Sequence, residues 1–158
     1  NELGQPIGSV LHNRQAPPAP PKTNCMASTP VASYLNIEGD RGSIEVGHIH
    51  YSPLLQPIPA ATETTSLLMQ QAFALSYRRY EWQCDGLNAA SNAAAQRLGL
   101  SHEGIYRQTV AYNGRNRDTA WFSIIDGEWP ALRARFQAWL DPSNFDADGR
   151  QIRPLSEA

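Results

Sequence analysis

The chain has 158 residues, 41% of them apolar, and a formal net charge of −2. That length supports one domain with a single core, and the near-neutral charge offers no bulk positive field for nucleic acid. No apolar run approaches the roughly 20 residues of a membrane-spanning helix, and the opening NELGQPIGSV lacks the charged and apolar regions of a secretory signal, so a cytoplasmic protein is expected.

Asn1 to Pro30 hold no periodic element. Pro17-Pro18-Ala19-Pro20-Pro21-Lys22 is a polyproline-type run and reads as a stiff, extended leader. Cys25 and Cys84 are far apart and lack a Cys-x-x-Cys or metal-site neighbour; both read as free thiols of a reducing compartment. Val31–Glu38 (VASYLNIE) is a strand, Glu38-Gly39-Asp40-Arg41-Gly42 a turn, and 43–51 a second strand, together an antiparallel hairpin. Strict alternation puts Ile44, Val46, His48 and His50 on one face, and Glu45, Gly47, Ile49 and Tyr51 on the other.

A turn punctuated by Pro53, Pro57 and Pro59 precedes a helix starting near Ala60. Its apolar face is expected to comprise Ala61, Leu68, Met69, Ala72, Phe73 and Leu75. The free N–H groups and dipole at such a helix start form a binding place for a phosphate-bearing ligand. Residues 78–84 alternate as a strand, with Tyr80, Trp82 and Cys84 opposed to Arg79, Glu81 and Gln83. A short helix over 89–98 stops at Gly99. A strand over 102–112 turns at Asn113-Gly114 and returns over 119–126. A helix over 128–140 buries Trp129, Leu132, Phe136, Trp139 and Leu140, and 142–158 reads as an irregular tail. The order β-β-α-β-α-β-β-α describes a mixed α/β (α+β) domain over 31–141, built on one sheet. His48 and His50 share the i, i+2 spacing of a metal pair, but two histidines alone make a poor site, and no metal is expected.

In this order the residues resemble a known family. AATETTSLLMQQAF is similar to the start of the cofactor helix of RimJ/RimL-type acetyltransferases of the GNAT superfamily. LSYRRYEWQCDGLNAASNAAAQRLGLSHEGIYRQ resembles that family's strand, Asn-x-x-Ser helix and Leu-Gly turn, and NGRNRDTAWFSIIDGEWP its Gly-x-x-Arg-Asp…Ser…Glu-Trp ending. The likeness runs from Val31 to Leu140. The leader GQPIG…PPAPPK also resembles that of full-length members, in which a strand, two helices and a second strand follow. Here Lys22 runs almost directly into the third family strand, so the resemblance implies a mostly antiparallel, helix-flanked sheet that is N-terminally incomplete.

The resemblance implies an acetyl-CoA-dependent N-acetyltransferase acting on a primary amine, either a protein N-terminus or a small molecule, with acetyl-CoA as co-substrate. The pyrophosphate would lie on Gln56 to Thr62, held by N–H groups of Ile58, Ala60, Ala61 and Thr62 and by the Thr62 hydroxyl; Pro59 stands where the family has a glycine and has no N–H to give. The pantetheine arm would pair with the backbone of Ile49, His50 and Tyr51, where the family splays this strand from the next. Asn88 and Ser91 match Asn-x-x-Ser and would contact the pantetheine or thioester, although both residue types also suit a plain helix start. Glu45 is the first candidate for general base, ahead of His48 and His50. Many members place a tyrosine acid on the second helix; the matching position here is Ala95. Arg115, Arg117 and Asp118 fit a solvated turn, an internal Arg–Asp contact or acceptor binding. The alternative is a non-catalytic remnant that binds CoA weakly or serves protein interaction, with self-association through surface left uncovered by the missing elements.

Overall fold

The computed structural model describes residues 31–50, 59–112 and 114–158. The proline-rich leader, Cys25, Tyr51, Gln56 and Ile58 lie outside them. The elements are β1 (Val31–Glu38), β2 (Ser43–His50), α1 (Ala60–Ala74), β3 (Arg79–Asp85), α2 (Ala89–Arg97), β4 (Ser101–Tyr112), β5 (Arg115–Ile125) and α3 (Trp129–Leu140). This is the expected order; β5 begins four residues earlier than its alternation suggested, so that the β4–β5 hairpin pairs right up to its turn.

The sheet order is β1-β2-β3-β5-β4. Only β2 and β3 run parallel; every other neighbouring pair is antiparallel. One face carries Ile44, Val46, Tyr80, Trp82, Cys84, Ala120, Phe122 and Ile124, all buried with side chains of the three helices in a single core. The alternate positions, Glu45, Glu81, Gln83, Thr119, Trp121 and Ser123, make up the opposite face, and no helix among the described residues packs there.

The buried stripe of α1 differs from the expected one. It is Thr62, Thr65, Ser66, Met69 and Ala72, while Leu75 is exposed. The spacing is helical, but three members carry hydroxyls. Burial of the two threonines is tolerated because their hydroxyls find partners: Thr65 Oγ1 donates to the Ala61 carbonyl at 3.1 Å, and Thr62 Oγ1 accepts from Arg97 at 2.5 Å. Phe73, expected on the face, stacks on Trp129 at 5.2 Å between ring centroids.

The final segment has neither α-helix nor long strand, yet it is tied to the core. Leu155 is buried beside α3, and Asn144 bonds the carbonyls of Trp139 and Arg153 and the Arg153 N–H. Cys84 is a buried free thiol. Among the described residues no helix is long and apolar enough to cross a membrane, and no group of His, Cys, Asp and Glu could hold a metal ion.

Candidate active site

The parallel pair β2–β3 is the origin of the site. Its register covers only Ser43 to Val46 against Arg79 to Trp82, although β2 continues to His50 and β3 to Asp85. Beyond Val46 and Trp82 the strands part. The cause lies in β2: between the pairs Ser33↔Gly47 and Val31↔His50, β2 carries one residue more than β1, and His48 has φ +51°. An extra residue in the left-handed region bends a strand and sharpens its twist.

This bulge overturns the strict alternation expected for β2. Ile49 packs against the core beside Ile44 and Val46, whereas His48 is exposed and leaves that face. The face expected for His48 is therefore lost to it, because one added residue shifts the alternation; the His50 side chain lies outside the described residues. Gly47 permits the close approach of β1: a Cβ there would fall 2.4 Å from Leu35 Cδ1.

The parted strands enclose a cleft of about 430 Å³ lined by residues of β2, β3 and β5 with Asn88 and Ser91. A second cavity of about 530 Å³ shares Ile49, Trp82, Asn88 and Ser91 with it and runs between α1 and α2 past Ala61 to Arg97. Together they form one groove from the strand splay to the start of α1. Backbone of Gly47 to His50 on one wall, and of Gln83 to Asp85 on the other, is released from β2–β3 pairing and lies available to an extended ligand.

Asn88 caps α2: its Oδ1 accepts the Ser91 N–H at 3.1 Å, as an N-cap requires. It also borders both cavities, so the capping and ligand-binding readings coexist in one residue. Ser91 does not cap. Its hydroxyl accepts from Trp82 Nε1 at 3.0 Å, and it is hydrogen-bonded to the Cys84 thiol, whose pKa burial pushes up. That bond fixes the indole at the floor where the two cavities meet. Ala95 is fully buried in the core, and no tyrosine among the described residues lines either cavity.

At α1, Pro59 is the N-cap and accepts the Glu63 N–H at 3.0 Å; no side chain caps the helix. Ala60, Ala61 and Thr62 form the first turn at the end of the groove. Thr62 is buried, and its hydroxyl accepts from Arg97 rather than standing free for a phosphate. Arg97, absent from the residues singled out by sequence, is thus brought from the last turn of α2 to the first turn of α1. The Trp139 ring lies 5.8 Å away, and burial lowers its pKa. No carboxylate pairs with it among the described residues. Its one sequence signal was a cation just before the Leu98-Gly99 turn.

Glu45 lies on the helix-free face beside the splay and is buried. Its Oε2 accepts from Asn36 Nδ2 at 2.6 Å and Gln83 Nε2 at 3.0 Å. Asn36 reaches it from a bulge of β1, where its φ is +42°. Oε1 has no hydrogen-bond partner among the described residues and lies 3.9 Å from where a Gly47 Cβ would be. Burial raises the Glu45 pKa most, and Glu81, its neighbour across the parallel pair, raises it further; Asn36, Arg117 and His48 oppose this. A carboxylate with one oxygen unbonded among the described residues and a raised pKa, beside a cleft, is a stronger proton acceptor than an ordinary one.

Over 79% of its length the chain is similar to a GCN5-related N-acetyltransferase from Brucella melitensis, with 50% sequence identity and a TM-score of 0.78. The fold is that of the GCN5-related N-acetyltransferases. A protein from Chromobacterium violaceum ATCC 12472, described as a probable acetyltransferase of the GNAT family, is 48% identical over 63% of this chain, with a TM-score of 0.62. The chain spans 57% of the first structure and 50% of the second. It is also similar to RimL, the ribosomal L7/L12 α-N-protein acetyltransferase in complex with coenzyme A: 26% identity and TM-score 0.55, over 61% of this chain and 54% of RimL. No protein-family model and no curated protein matches the sequence. In this GNAT fold the groove opens at the parted parallel strands.

Proposed function

We propose that the chain is an acetyl-CoA-dependent N-acetyltransferase of the RimJ/RimL type, transferring the acetyl group to a primary amine. The observation that carries this is the continuous groove joining the β2–β3 splay to the first turn of α1, with the Glu45 carboxylate just outside its lining, hydrogen-bonded to the lining residue Gln83. The 26% identity with RimL, bound to coenzyme A, supports the same ligand.

In this reading the diphosphate sits at the start of α1, where the helix dipole and first-turn N–H groups favour anions. Arg97 supplies the charge that Pro59, lacking an N–H, does not. The pantetheine amides pair with the freed backbone around Ile49 and His50 while the arm passes Trp82 and Asn88. The thioester then lies in the splay, reachable from the helix-free face. The amine enters from that face, Glu45 takes its proton directly or through water, and the lone pair attacks the thioester carbon. The carbon–sulfur bond breaks, CoA leaves as thiolate, and the further proton shed by the nitrogen as the amide forms passes to that thiolate. No tyrosine is required, since that thiolate is a good leaving group.

A second reading, a CoA-binding domain without catalysis, is favoured by Ala95 and Pro59, which stand where many family members carry a tyrosine and a glycine. Calorimetry with acetyl-CoA followed by thiol release across an amine panel separates the two. Binding with turnover supports the enzyme, and binding without turnover supports the second reading. A folded sample that binds nothing at millimolar acetyl-CoA refutes both.

A further inference from the structure

The cation Arg117 on β5 is not used by this reaction scheme. It lines the splay cleft together with Gln83 and Asp85, and its Nε is buried without a hydrogen-bond partner among the described residues. A buried guanidinium N–H left unbonded is costly, and its ordinary partner is a carboxylate met in a forked geometry.

The carboxylates around it are engaged elsewhere. Asp85 is ion-paired to Arg115 and accepts the Leu87 N–H. Glu81 pairs with Arg79, and Asp118 accepts the Gln108 N–H. Glu45 is hydrogen-bonded to Asn36 and Gln83, and the charge of Arg117 reaches it only through space. Arg117 forms no ion pair among the described residues. The cleft therefore holds, with the Glu45 carboxylate bonded to its Gln83 wall, a cation that no side chain among the described residues meets in an ion pair.

We propose that Arg117 receives a carboxylate of the acceptor, so that the substrate class is an amine bearing a carboxylate, of the amino-acid type. The amine meets Glu45 and the carboxylate meets Arg117, which fixes the nitrogen against the thioester and rejects amines lacking the anion. The diphosphate of the co-substrate has its own place at α1 and Arg97, at the other end of the groove. This inference rests on the acetyl-transfer reading for its consequence, but its binding half stands apart from it.

The test uses the full chain, with Arg117→Gln and Arg117→Lys. Turnover is measured for α-, β- and γ-amino acids against their matched carboxamides, and acetyl-CoA affinity by calorimetry. Separately, N-acetylated amino acids and their carboxamides are titrated while the Arg117 side-chain N–H resonance is followed by NMR. The wild type should prefer the better acids over their carboxamides by about 10–100-fold in kcat/KM. Arg117→Gln should abolish that preference, Arg117→Lys should keep part of it, and acetyl-CoA affinity should stay within about twofold. The acid should move the Arg117 resonance and the carboxamide should not. Equal turnover of acids and carboxamides by the wild type overturns the proposal, as does a tenfold loss of acetyl-CoA affinity with the preference intact. If acetyl-CoA fails to bind, the acetyl-transfer reading falls, and the NMR titration alone decides: a resonance unmoved by the acids then refutes the carboxylate site.

Discussion

Replacing Glu45 by Gln tests the chemistry most directly, because the structure predicts opposite effects on rate and stability. Gln preserves the shape, and its single carbonyl oxygen can accept the bonds from Asn36 and Gln83 that now both end on Oε2. The amide nitrogen takes the place of the unpartnered Oε1. Only the proton acceptor is removed. General-base catalysis contributes about 10²–10⁴-fold, or about 2.7–5.4 kcal/mol of barrier at 1.36 kcal/mol per decade, and kcat/KM should fall by that factor. Burial raises the Glu45 pKa, so its folded value exceeds the unfolded one and ionisation opposes folding above it. The variant should therefore melt no lower than the wild type at pH 7, and any gain should vanish as pH falls below the carboxylate range. The assay is thiol release over pH 5–9 beside thermal denaturation. In the wild type the acidic limb should be displaced upward from that of an ordinary glutamate, and it should be absent from Glu45→Gln. A variant that keeps at least half of kcat/KM, with that limb in place, would refute the assignment.

The remaining residues give independent checks. Arg97→Gln removes the cation bonded to Thr62 beside α1 and should weaken acetyl-CoA binding by about tenfold or more in calorimetry, an effect that shrinks in high salt. Ser91→Ala leaves Trp82 Nε1 buried without its 3.0 Å partner; denaturant unfolding should show a loss of about 1–3 kcal/mol. Gly47→Ala sets a methyl 2.4 Å from Leu35 Cδ1 and should cost about 1–3 kcal/mol, while a double-mutant cycle with Leu35→Ala should show coupling, because the clash goes with Leu35. Glu103 is held down to about 2 by its bonds to Arg79 and then Ser123, from an ordinary 4.5. Its stabilisation is present above the unfolded pKa and is lost as pH falls from about 4.5 through about 2; since the pair is partly exposed, Glu103→Gln should cost about 1 kcal/mol at pH 7 and only a small part of that at pH 2.

Element order was legible in the sequence because each signal was local: alternation in Tyr80, Trp82 and Cys84, the turn at Asn113-Gly114, the stop at Gly99. The buried face of α1 was not, because Thr62 and Thr65 read as polar until their bonding partners are known. Those partners come from the helix's own carbonyls and from Arg97, 35 residues away. Arg97 was hidden for the same reason, since its role depends on two helix ends meeting across the groove. Tyr51, Gln56 and Ile58, expected to bind the co-substrate, lie outside the described residues.

The largest departure and the site share one cause. Regular alternation in β2 would have kept it paired to β3 as far as His50, with no cleft between them. The single added residue at His48 ends that pairing after Val46, frees backbone on both strands and returns Ile49 to the core. A complementary bulge in β1 carries Asn36 to Glu45, so that the two irregularities of one hairpin build the opening and orient the carboxylate beside it. Bulges cost ladder hydrogen bonds and place non-glycine residues at positive φ, here Asn36 and His48. Regularising β2 by deleting His48 should then restore β2–β3 pairing, raise stability and close the groove to acetyl-CoA. Amide hydrogen exchange at Gln83 to Asp85, slower in the deletion than in the parent, would show the strands rejoined.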